Sequence, residues 1–156
     1  MKKFILTLII LMIAGHIFPL SGPAINFKAK DIKGNAVELN KLKGKVVVLD
    51  FWATWCPPCI REIPNLKKIY SDFKNDNFEI ISIALERKPK ELAVKFVGDN
   101  GMGWVHIIDR KKGREIATDY NIRYIPTMYI INKKGDIIGS GLRGEKLREK
   151  ITELLK

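Results

Sequence analysis

The chain contains only two cysteines, Cys56 and Cys59, within residues 50–62, DFWATWCPPCIRE. Two thiols separated by a pair of prolines could ligate a metal, staple a loop or cycle between dithiol and disulfide. A closed zinc site needs a full tetrahedral ligand set, and after residue 22 only His106 adds to the cysteines, so carboxylates would have to complete it. Haem attachment of the CxxCH type fails because Ile60 follows the second cysteine. A static staple across so short a loop would remove little entropy from the unfolded chain. Reversible redox chemistry survives, with no metal or cofactor required.

Such chemistry needs an element that delivers the first thiol and a second element that begins at it. Residues 46–51, VVVLDF, form an apolar β-branched run with one carboxylate, Asp50, as expected of a central strand buried on both faces. Pro57 and Pro58 lack amide hydrogens and have fixed φ, which suits the first turn of a helix. Cys56 is then the expected N-cap. Ile60, Ile63, Leu66, Ile69, Tyr70 and Phe73 follow at helical spacing, with a kink expected at Pro64. A thiol at a helix N-terminus faces free N–H groups and the positive end of the macrodipole, which favours thiolate. Cys56 is thus the expected nucleophile. Cys59, one turn further in and expected to be more buried, is the resolving thiol.

The rest of the chain alternates strand and helix, which defines an α/β class. Strands are expected at 77–85, 104–108, 125–131 and 137–140, and helices at 90–97, 114–120 and 145–155. The Lys133 to Asp136 turn makes the last two strands an antiparallel hairpin. Another small hairpin is expected across 32–42, around Lys33, Gly34 and Asn35. At 156 residues, with 46% hydrophobic and 29% charged positions, the chain suits one globular core. Its net charge of +11 is dispersed over many short basic clusters. No nucleic-acid motif accompanies them, and no strip interleaves aromatics with arginine.

Residues 1–22 read as a separate segment. Lys2 and Lys3 precede an apolar run over residues 4–20 that is broken only by Thr7, Gly15 and His16. That pattern is an export signal, retained as a membrane anchor or cleaved, and it places residues 23–156 outside the cytoplasm. Thiols there tend towards oxidation unless a partner keeps them reduced.

WCPPC after a buried strand, with IPT at residues 125–127, resembles the thioredoxin-fold thiol oxidoreductases, and more narrowly their exported TlpA and ResA branch. The likeness runs from about Pro23 to Lys156, including the helix and strand inserted between residues 88 and 108. It implies a thioredoxin-like fold, with a central mixed sheet flanked by helices and an N-terminal hairpin. It also implies a cis Ile125-Pro126 peptide beside the cysteines, leaving the Ile125 backbone free to pair with an extended substrate. Asp50 would accept the Cys59 proton, although Ser82 stands where the thioredoxin lysine partner would be. Glu62 matches an active-site glutamate; the competing reading is an exposed helix carboxylate. Trp52 would be core and Trp55 a substrate platform beside Pro57 and Pro58.

The implied activity is reduction of disulfides in exported proteins such as apo-cytochrome c, with electrons from a transmembrane donor protein. An oxidase or isomerase is the alternative within the same chemistry. A peroxiredoxin-type thiol peroxidase would need proline at position 49 and threonine at position 53, where this chain has Leu49 and Ala53. A non-catalytic binding module would not need both thiols.

Overall fold

The central strand, Val46–Trp52, is buried at every position. In the computed structural model, which describes residues 22–156, alternate side chains of this strand enter two separate cores. Val46, Val48 and Trp52 face one cluster with Ile63, Leu66, Ile69 and Leu147, whereas Val47, Leu49 and Phe51 face another with Phe27, Ile116 and Tyr120. A two-residue side-chain period covered on both sides explains why the sequence reads as an uninterrupted apolar run.

The elements in chain order are β1 (Gly22–Pro23), β2 (Lys28–Lys30), β3 (Ala36–Glu38), a 3-10 turn (Leu39–Leu42), β4 (Val46–Trp52), α1 (Pro57–Phe73), β5 (Phe78–Ala84), α2 (Lys90–Asp99), β6 (Val105–Ile107), α3 (Arg110–Asp119), β7 (Thr127–Ile131), β8 (Asp136–Ser140) and α4 (Gly144–Leu155). The main sheet has the order β1-β8-β7-β4-β5-β6. β4, β5 and β6 run parallel, while β7 and β8 are antiparallel to their neighbours. Helices α1, α2 and α4 pack on one face; α3 and the β2-β3 hairpin pack on the other. This is the expected α/β mixed sheet with an N-terminal hairpin and an inserted α2-β6 unit.

Several details depart from the sequence-based expectations. The hairpin strands flank the Asp31–Asn35 turn on both sides, and residues 39–42 form the 3-10 turn. Helix α3 begins four residues early, at Arg110, because Asp109 accepts the Lys112 N–H at 2.7 Å as its N-cap. Helix α1 has Pro64, where a kink is expected, inside its span. Its buried stripe is Cys59, Ile63, Leu66 and Ile69, so Ile60 falls outside it and is 36% exposed. The expected export signal or anchor lies outside the described residues except for Gly22, which pairs with Ile137 of β8. Among the described residues, no helix is long and apolar enough to cross a membrane.

Helix α3 approaches the end of β5 closely at Gly113, where an added Cβ would come within 2.8 Å of the Ala84 carbonyl oxygen. A backbone atom cannot move aside cheaply, so Gly113→Ala is expected to destabilise the fold by about 1–3 kcal/mol in urea unfolding. Gly98→Ala in α2 meets nothing within 4 Å and is expected to be neutral or stabilising by up to about 1 kcal/mol. Equal stability of the two variants would contradict this account of the α3-β5 contact.

Candidate active site

Four residues, Ala53 to Cys56, connect the end of β4 to the start of α1. Their path is tied at several points. Leu85 N–H donates to the Trp52 carbonyl at 2.8 Å, and Cys56 N–H donates to the Ala53 carbonyl at 3.2 Å. The buried Glu86 carboxylate accepts the Thr54 amide at 2.6 Å and the Thr54 hydroxyl at 3.2 Å. An acidic side chain at the end of β5 therefore holds the loop that carries the first cysteine. Sequence reasoning missed Glu86, although its place directly after a buried strand was a signal that it sits at the cysteine end of the sheet.

Cys56 is the N-cap of α1, with Pro57 and Pro58 in the first turn, and its sulfur accepts the Cys59 N–H at 3.3 Å. The two cysteines form a disulfide. Both are 4% exposed, so the expected difference in burial is not found. The flanking Pro57 and Pro58 are exposed. The Ile125-Pro126 peptide is cis, as the resemblance implied, and Pro126 is buried while Ile125 is half-buried. Arg143, at the N-terminus of α4, donates to the Pro126 carbonyl at 2.6 Å. This anchor was also missed.

Asp50 lies on the sheet face packed by α1. It is in register with Met128 of β7 and Ser82 of β5, and Ser82 in turn with His106 of β6. The Ser82 hydroxyl donates to Asp50 Oδ2 at 2.8 Å, while Trp104 Nε1–H donates to the Ser82 oxygen at 2.8 Å. The result is a directed chain from indole to hydroxyl to carboxylate. Trp104 was not foreseen in it; Ser82 supplies a neutral donor where a lysine would have supplied a charge. Burial pushes the Asp50 carboxyl up to about 7, against the opposing Ser82 hydrogen bond; Glu62 adds to the rise and Arg143 opposes it.

Glu62 is half-buried, unlike the exposed helix carboxylate of the competing reading. Its Oε1 accepts Asn65 Nδ2–H at 2.6 Å and the Gly144 N–H at 2.9 Å, so it joins α1 to the first turn of α4. Trp52 packs in the core against Phe96 and His106. Trp55 is half-buried, with the Arg87 guanidinium 4.3 Å from its ring centroid. His106 is fully buried beside Trp104 and bonds the Met102 carbonyl through Nε2 at 3.1 Å. Burial holds its imidazole down to about 4. Among the described residues, no His, Cys, Asp and Glu cluster could hold a metal ion.

Because the folded-state value of Asp50 lies above the ordinary carboxyl value, its contribution to stability is full below about pH 4 and is lost as pH rises through about 7. The low value of His106 acts oppositely, removing stability as pH falls from 6.5 through about 4. Comparison with Asp50→Asn cancels the histidine contribution. The stability of that variant relative to wild type is expected to improve by about 2–4 kcal/mol between pH 4 and pH 8. Ser82→Ala should shift the Asp50 midpoint to higher pH. A pH-independent difference between Asp50→Asn and wild type would contradict titration of Asp50 in this window.

Comparison with known proteins agrees with this geometry. The AhpC/TSA family matches residues 20–140. Thiol-disulfide oxidoreductase ResA of Halalkalibacterium halodurans is 38% identical over 135 residues, covering 85% of this chain and 75% of that protein. ResA of Bacillus thuringiensis subsp. konkukian is 39% identical over 134 residues, with the same two coverages of 85% and 75%. Among solved structures, the thioredoxin domain of a thiol-disulfide oxidoreductase from Bacteroides vulgatus superposes with a TM-score of 0.78 at 28% identity, covering 86% of this chain and 96% of that one. StoA from Bacillus subtilis gives 0.70 at 27% identity, covering 85% and 97%. The chain belongs to the AhpC/TSA family, as a thiol-disulfide oxidoreductase of the ResA-like kind with a thioredoxin-like fold.

Proposed function

We propose that this protein works outside the cytoplasmic membrane as a reductant of disulfides in exported proteins, apo-cytochrome c among them. Residues 1–22 serve as export signal or membrane anchor and residues 23–156 as the working domain. The observation that supports the exchange chemistry is the Cys56-Cys59 pair at the start of α1, with Asp50, a buried carboxyl pushed up to about 7, in the strand that leads to it. A group with that affinity for a proton is suited to take one from Cys59 near neutral pH.

The Cys56 thiolate attacks one sulfur of the substrate disulfide, forming a mixed disulfide and releasing the other substrate sulfur as a thiolate. Cys59 then passes its proton to Asp50, attacks the Cys56 sulfur and releases the second substrate thiolate. Two electrons move from the dithiol to the substrate, and the protein is left as the disulfide. During attack, Trp55, Pro57 and Pro58 border the substrate while the Ile125 backbone next to Pro126 pairs with it as an added strand. Glu62 orders the α1-α4 contact and shapes the field at Asp50. Return to the dithiol requires electrons from a membrane-spanning donor protein.

Redox titration of the full chain in glutathione or dithiothreitol buffers tests the direction. Dithiol-disulfide proteins of this type span about −270 to −120 mV. A value towards the reducing end, below the glutathione range, is expected; one near the oxidising end would make the protein an oxidase. A reporter that is active only outside the cytoplasm, fused after Lys156, is expected to be active. A signal confined to the cytoplasm would refute the assigned location.

A further inference from the structure

Trp55 and Ile125, which flank the dithiol, also open onto a groove of ≈ 510 Å³ that extends across α3. Part of its wall is apolar, formed by Leu85, Ala117 and Ile122. The rest carries three exposed arginines, Arg87 after β5, Arg114 on α3 and Arg123 in the loop before β7. Among the described residues none of these three is in a salt bridge. The one carboxylate in the wall, Glu86, is turned to Thr54 and accepts two hydrogen bonds from it. Three guanidiniums against that single carboxylate leave the groove cationic, beside the residue that precedes the nucleophile.

Most of the basic residues of this chain are scattered over solvated faces, but these three converge on one concave surface. Guanidinium groups pair with carboxylates in bidentate geometry, and Arg87 is already placed by its stack on Trp55. The segment of the chain outside the described residues carries Lys2 and Lys3 and no carboxylate, so it does not complement the groove. We propose that the groove receives an acidic, extended segment of the protein substrate next to its disulfide. The Asp or Glu side chains of that segment pair with Arg87, Arg114 and Arg123, while Trp55 and Ile125 border the residues beside the reacting sulfur. This rests on the reading that Cys56 exchanges disulfides with protein substrates, and it adds which substrate segments are preferred.

The test uses the reduced full chain in mild detergent and synthetic peptides that carry one cysteine as a mixed disulfide with thionitrobenzoate. The Cys56 thiolate attacks the peptide sulfur; a Cys56-peptide disulfide forms, and thionitrobenzoate leaves with the electron pair of the broken bond. Its release is followed by absorbance for peptides whose flanking residues are Asp and Glu, Ser, or Lys. At low salt the acidic peptide is expected to react about ten-fold faster than the Ser peptide, with the advantage shrinking as salt screens the groove. In Arg114→Gln/Arg123→Gln the acidic-to-Ser ratio should fall below about two-fold, whereas Lys133→Gln/Lys134→Gln, with equal charge loss at the distant β7-β8 turn, should retain it. A ratio near one in the wild type, or an unchanged ratio in the arginine variant, overturns the proposal. Absence of such a ratio together with arginine-dependent binding to phosphatidylglycerol vesicles overturns it in favour of a lipid surface. If no peptide releases thionitrobenzoate, the exchange reading itself fails, and this proposal with it.

Discussion

The structure depends on one junction, where a strand buried on both faces must give way within four residues to a helix whose first cap is a reactive sulfur. Cys56 completes the N-terminus of α1 by accepting the Cys59 N–H. The same contact presents a sulfur to free backbone donors and the positive end of the helix dipole. Pro57 and Pro58 enter a first turn that has no use for their missing amide hydrogens. The loop itself cannot wander, because Glu86 grips Thr54 and the β5 end is tied to Trp52. Folding and chemistry thus draw on the same few backbone groups.

A buried acid lies in the strand that leads to that junction. In the apolar face of β4, Asp50 stands between Val48 and Trp52 with a single hydroxyl donor. Desolvation outweighs the hydrogen bond, so the carboxyl holds its proton far above the ordinary range. Trp104 fixes the donor direction of Ser82, and the register β7-β4-β5-β6 fixes the row. At the outer rim of the same region, Glu62 meets the start of α4 and Arg143 holds Pro126. Two elements separated from the dithiol in sequence are thereby tied to its surroundings.

The sequence made the strand, the capped helix, the hairpins and the alternation of elements legible, since each leaves a local period or a turn residue. The positions of Cys56, Pro57 and Pro58 followed from backbone constraints alone. What escaped was set by pairing across the sheet. Glu86 and Thr54 meet over 32 positions and Trp104 and Ser82 over 22, and no local pattern marks such partners. Ile60 shares the spacing of its apolar neighbours but lies about 100° around the helix from Cys59, which turns it outwards. The start of α3 was hidden because Arg110, Lys111 and Lys112 form its polar first turn and contribute nothing to an apolar period. The groove arginines lie on separate elements, and in sequence each belongs to a cluster that reads as solvated surface.

The central claim is that capping makes Cys56, and not Cys59, the attacking sulfur. Brief alkylation of the reduced full chain with iodoacetamide near neutral pH, followed by mass spectrometry of the cleaved peptides, measures this directly. The account predicts that the label accumulates on Cys56 while Cys59 is still largely unmodified; faster labelling of Cys59 would contradict it.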